Sequence, residues 1–120
     1  MITIWHNPRC SKSRQTLALI EDRDPTVVKY LDTPPTEADL RTTLEKLAIP
    51  AIKLVRTGEK TFKDLGLSKT DDAQTLIAAM AQNPTLIERP VVFANGKAAI
   101  GRPPESVLEI LGDYSASIFD

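Results

Sequence analysis

The stretch Pro90-Val91-Val92-Phe93-Ala94-Asn95-Gly96-Lys97-Ala98-Ala99-Ile100 decides how the chain folds. Pro90 to Phe93 reads as a strand. Asn95-Gly96 is the dipeptide that a two-residue hairpin turn prefers, because both of its positions take positive φ. Lys97 to Ile100 then supplies the return strand. Downstream, Gly101-Arg102-Pro103-Pro104 is a turn, with a proline permitted at the start of a following helix. Val107, Leu108 and Leu111 give that helix an apolar face, and residues 112–120 read as loosely held.

Working back to the start, Ile2 to Trp5 is a β-rich first strand. Pro8 then drives Asn7 out of the helical region. A helix is predicted from near Cys10 to about Glu21, with Leu17 and Ile20 inward and Ser13 one turn earlier. Thr26 to Leu31 reads as a second strand. The helical length of the connection makes it parallel to the first, as in a βαβ unit. Between this unit and the hairpin lies a helical insert at about residues 34–88. Thr36 with Asp39 resembles a capping box. Leu40, Leu44 and Leu47 mark one helical face, ended by Pro50. Ile52 to Val55 leads to Arg56-Thr57-Gly58. Asp71 or Asp72 caps a further helix with Ala73, Leu76, Ile77 and Met80 inward, stopped by Asn83-Pro84. The order β-α-β, helical insert, β-β-α predicts an α/β fold with one mixed sheet, in a single domain over residues 1–120.

With 120 residues, 42 % of them apolar, the chain can bury one core. Its formal net charge of −1 gives no global basic field, so nucleic acid is not an expected partner and any anion site must be local. No apolar run approaches membrane-spanning length, and Met1 to Trp5 lacks the features of a signal peptide, so a cytoplasmic protein is expected. One cysteine and one histidine cannot build a structural zinc site, and no bound metal or cofactor is expected. A single cysteine also excludes a dithiol within the chain.

Cys10 stands just after the first strand, where a helix begins. Lowering a thiol from about 8.5 by two pH units takes about 2.7 kcal/mol. A helix N-terminus supplies up to ~2 kcal/mol, and Arg9, Lys12, Arg14 and His6 offer cations nearby. The backbone N–H groups of Ser11, Lys12 and Ser13 would form an anion cradle beside the sulfur. Residue type alone favours a small buried apolar side chain at Cys10, and its polar neighbours bring the nucleophile reading level with that one. His6 would orient the loop or favour the thiolate electrostatically. Arg56, Arg89 and Arg102 each adjoin a turn-forming residue or a proline, and on spacing alone they read as solvated surface arginines. Pro90, opening a strand, is compatible with a cis peptide bond.

His6-Asn7-Pro8-Arg9-Cys10-Ser11-Lys12-Ser13 resembles the active-site loop of the glutaredoxin-dependent arsenate reductases of the ArsC type. The resemblance continues in Tyr30-Leu31 with Thr33-Pro34-Pro35, in Asp64-Leu65-Gly66-Leu67, in Glu88-Arg89-Pro90-Val91-Val92 and in Gly101-Arg102-Pro103-Pro104-Glu105-Ser106-Val107-Leu108. It spans residues 2 to about 111. It implies a thioredoxin/glutaredoxin-like fold with a helical insert. It also implies that Cys10 attacks arsenate, that glutathione attacks the resulting adduct as co-substrate, and that glutaredoxin resolves the mixed disulfide. By position, His6 would aid ionisation of Cys10, and Arg56, Arg89 and Arg102 would surround the oxyanion. Pro90 would be the structural cis-proline, and Ser13 would complete a Cys-x-x-Ser pattern like that of monothiol glutaredoxins. The lone cysteine itself requires the second electron to come from an external thiol. A monomer is the default for this size.

Two other readings share the fold. A polymerase-docking regulator of the Spx kind commonly carries a Cys-x-x-Cys switch, which Ser13 removes here. A general glutathione-linked thiol transferase would have less use for the insert and the three arginines.

Overall fold

The computed structural model describes residues 1–111, which form two compact units, one of residues 1–29 with the segment from Arg89 onward and one of residues 30–88. The first unit holds a four-stranded sheet. Strands β1 (Ile2–Trp5), β2 (Thr26–Val28), β3 (Val91–Ala94) and β4 (Lys97–Ile100) lie in the order β2-β1-β3-β4. β1 is parallel to β2 and antiparallel to β3, which pairs antiparallel with β4. The hairpin turn sits where expected, with Asn95 at φ 54° and Gly96 at φ 75°. Asn95 also donates a side-chain hydrogen bond to the Ile110 carbonyl.

Register fixes the two faces of the sheet. Ile4 lies opposite Val92 and Val92 opposite Ala99, so these three share a face. Helix α1 (Ser11–Ile20) and the 3₁₀ segment Pro104–Ile110 pack together, and Ile4, Ile20, Val92, Ala94, Val107, Ile110 and Leu111 form one buried cluster. Trp5 and Phe93 stand on the other face with ring centroids 5.0 Å apart in an edge-on arrangement.

The structure corrects several expectations from sequence. β2 stops at Val28 rather than Leu31. Among the described residues its only strand neighbour is β1, whose chain reaches His6 N–H to Val28 O and then turns away at Pro8, which has no N–H to donate. The inward residues of α1 are Ser13, Thr16 and Ile20, with Leu17 only partly buried. The last helix is 3₁₀ in type, with Pro104, Val107 and Ile110 buried. Their spacing of three is the 3₁₀ period, which leaves Leu108 outside at 38 % exposure. Residues 112–120 lie outside the described residues.

The second unit begins at Tyr30, slightly before the expected start of the insert, and contains α2 (Glu37–Leu47), α3 (Lys60–Asp64) and α4 (Ala73–Gln82). Thr36 and Asp39 form a complete capping box at α2, and Asp72 caps α4 through the Thr75 N–H. α2 buries Leu40 and Thr43, with Leu44 and Leu47 at its margin, and ends one residue after Leu47, at Ala48 with φ 57°, before Pro50 is reached. α4 buries Leu76, Ile77 and Met80, while Ala73 in its exposed first turn does not join them. A bridge between Val55 and Ile87 joins the two ends of the segment that carries α3 and α4.

Candidate active site

Cys10 is the N-cap residue of α1, with extended backbone at φ −96° and ψ 123°. Three bonds shape the preceding loop. Cys10 N–H reaches Asn7 O at 3.0 Å, Arg9 N–H reaches Asn7 Oδ1 at 3.0 Å, and Arg14 Nη1 donates to Pro8 O at 2.9 Å. The loop is thus tied down at Asn7 and Pro8, and the sulfur is set against the first turn of α1.

Cys10 as a residue is 8 % exposed. Its surroundings are cationic and rich in N–H donors. Arg102 Nη2 lies 3.5 Å from Cys10 Sγ, and Arg102 Nε donates to Arg89 O at 2.8 Å. Burial pushes the Cys10 thiol up, but the Ser13 N–H, the Arg89 charge, the Lys12 N–H and the Arg102 charge together carry it below its ordinary value. The helix N-terminus and two guanidiniums therefore favour the thiolate, the reactive form of cysteine.

A buried polar pair joins the two ends of this loop. His6 Nδ1 is 2.7 Å from Ser13 Oγ, and Ser13 Oγ accepts the Asn7 N–H at 3.0 Å. His6 is 6 % exposed and Ser13 is fully enclosed. Burial first, then the charges of Lys29 and Arg14, hold the imidazole below its usual titration range.

Of the residues singled out in the sequence, Cys10, His6, Ser11, Lys12, Ser13, Arg89, Pro90 and Arg102 all belong to the first unit. The Arg89–Pro90 bond is cis, and so is Arg102–Pro103. Arg56 belongs to the second unit, where its guanidinium donates to Thr85 O at 3.1 Å and pairs with Glu59 at 3.2 Å. Sequence reading missed the supports. A side chain at Gly101 would collide with Thr16 Oγ1 and come within 2.8 Å of Pro90 Cγ, so only glycine lets β4 run this close to α1 just before Arg102. Thr16 is fully buried and its hydroxyl donates to Lys12 O at 2.8 Å. The one available signal was a glycine placed directly before Arg102. Among the described residues no group of three or more His, Cys, Asp or Glu side chains could hold a metal ion, and no helix is long and apolar enough to cross a membrane.

Residues 5–110 match the ArsC family. The chain belongs to the ArsC family. Among curated ArsC relatives, an arsenate reductase of Neisseria meningitidis is 46 % identical, the match covering 92 % of this chain and 97 % of that one. The protein of Escherichia coli named uncharacterized protein YfgD is 51 % identical with the same coverage. The solved structure of an arsenate reductase from Vibrio cholerae superposes with a TM-score of 0.88 at 46 % identity, covering 92 % of this chain and 97 % of that chain. The mixed four-stranded sheet is accordingly thioredoxin-like, as ArsC membership requires.

Proposed function

We propose that this ArsC-family chain is an arsenate reductase in which Cys10 is the nucleophile. The Cys10 thiolate attacks arsenic, a bond forms between sulfur and arsenic, and one oxygen of arsenate leaves as water after protonation. Glutathione attacks the adduct. An S–S bond forms between Cys10 and glutathione as the S–As bond breaks, and its electron pair leaves with arsenic as arsenite, so two sulfurs are oxidised to a mixed disulfide while arsenic falls from As(V) to As(III). Glutaredoxin then resolves the mixed disulfide, and Cys10 is restored.

One observation carries this reading: the sulfur sits at a helix N-cap with a guanidinium nitrogen 3.5 Å away. Arg89 and Arg102, with the Ser11, Lys12 and Ser13 amides, would grip the tetrahedral anion while it is attacked. Arg56, which family resemblance adds as a third arginine, would contact the oxyanion or its reduced product. The arsenate reductase names of relatives covered nearly end to end support the substrate. A lone thiol recharged by external thiols belongs in a reducing compartment, so the reading places a monomeric enzyme in the cytoplasm.

The test is NADPH oxidation coupled through glutathione reductase, glutathione and glutaredoxin, with arsenate as substrate. Turnover is expected for the wild type and is lost in Cys10→Ser. Undiminished arsenate-dependent turnover in Cys10→Ser would refute the assignment.

A further inference from the structure

We infer that Thr16 is a positioning residue for the reaction: it is the spacer that fixes how far the backbone bearing Arg89 and Arg102 stands from the sulfur of Cys10. The inference rests on the reading of Cys10 as the nucleophile and adds what holds its cations in place.

Cys10, Ser13, Thr16 and Ile20 are the buried positions along α1 and its N-cap, at steps of three and four residues. Threonine is a costly choice for the middle of that stripe. Its branched side chain is stiff in a helix, and an enclosed hydroxyl needs a partner. The hydroxyl finds one in Lys12 O at 2.8 Å, one turn back. The branched shape is used across the interface: Oγ1 and Cγ2 of Thr16, with Cγ of Pro90, fill the space that a side chain at Gly101 would need. Gly101 N–H donates to Pro90 O at 2.9 Å, and Arg102 Nε donates to Arg89 O at 2.8 Å. These two bonds tie residues 89–90 to residues 101–102, so one braced piece of backbone carries both arginines. That piece meets α1 at Thr16. Farther along the helix Ile20 joins the cluster of Val107 and Ile110, which leaves Thr16 as the contact on the sulfur's side of that cluster. A shift there moves the arginines relative to Sγ, which Arg102 Nη2 meets at 3.5 Å. Cations placed in advance support an anion only while their distance is held.

Helix α2 supplies a matched control. Thr43 is 2 % exposed and donates Oγ1 to Asp39 O at 2.8 Å, the same bond to the residue four earlier, but it belongs to the other compact unit. Thr16→Ala and Thr43→Ala therefore remove the same atoms from the same local setting, and both should lower the urea midpoint. Only Thr16→Ala should raise the pH midpoint for alkylation of Cys10 by iodoacetamide and lower kcat/KM for arsenate, by about tenfold. Thr16→Ser keeps a hydroxyl against Gly101 and should return the alkylation midpoint close to the wild-type value. Gly101→Ala forces the same contact open from the opposite side and should raise the midpoint as well; it carries the test alone where Thr16→Ala does not fold. A midpoint unchanged in Thr16→Ala, moved equally in Thr43→Ala, or unchanged in Gly101→Ala overturns the inference. Alkylation involves no arsenate, so this arm is decided separately from the substrate assignment.

Discussion

Arg102 meets Cys10 through one nitrogen while its Nε is engaged by the Arg89 carbonyl, so its reach is fixed by its own backbone neighbourhood. Lysine offers a single charged point and cannot make both contacts. Arg102→Lys should therefore lower kcat/KM for arsenate about tenfold or more, the loss of one charge-assisted hydrogen bond, and move the pH midpoint of Cys10 alkylation upward. An unchanged alkylation profile would remove Arg102 from the thiolate's support. Thiol ionisation also has a stability consequence with a definite sign. The Cys10 thiol titrates lower in the folded chain than in the unfolded one. Its contribution is fully present above the ordinary thiol value and is lost as pH falls through the folded value. The urea midpoint of the wild type should rise relative to that of Cys10→Ser as pH increases through this window, then level off. A pH-independent gap would contradict a depressed thiol.

Short-range chemistry made several elements legible. Asn95-Gly96 specified its turn because both residues tolerate positive φ, and Thr36 with Asp39 specified a helix start because each side chain reaches the other's backbone N–H. Thr36→Ala should cost about 1 kcal/mol in a denaturant melt, the usual value of an N-cap. Features set by distant partners were hidden from the sequence. β2 is cut short because its neighbour β1 gives way to the Pro8 turn, Thr16 displaces Leu17 from the inner face because it meets Gly101, and the last helix tightens to match its burial period. Gly101→Ala tests the most specific of these. Its added methyl has no room between Thr16 and Pro90, and destabilisation of about 1–3 kcal/mol is expected from such overpacking. Equal melts for variant and wild type would show that β4 has slack there.

At the scale of the molecule, the candidate site draws on residues far apart in sequence. Cys10 and Arg102 are 92 positions apart, and nothing local to either one announces the other. Resemblance to a family placed both residues at one site in advance, whereas the lone cysteine by itself led only to the expectation of an outside thiol. Intact-mass analysis after treatment with arsenate and glutathione should find one glutathione per wild-type chain and none on Cys10→Ser. Arg56 belongs to the other compact unit and is already paired with Glu59 there. Arg56→Ala should raise the KM for arsenate, while Glu59→Ala serves as the control that breaks only the local ion pair. Matching effects in the two variants would assign Arg56 a structural duty instead.

The arginine that faces the sulfur would change its role in the course of the proposed reaction. A sulfur bonded to arsenic would carry no negative charge, and the guanidinium at position 102 would exchange one counter-ion for another, the thiolate for the oxyanion of the adduct. With Nε anchored to a main-chain oxygen, the nitrogen now 3.5 Å from the sulfur would need only a short arc to follow that charge. The cation would pass from nucleophile to adduct without a rearrangement of the backbone, and return of the thiolate would draw it back.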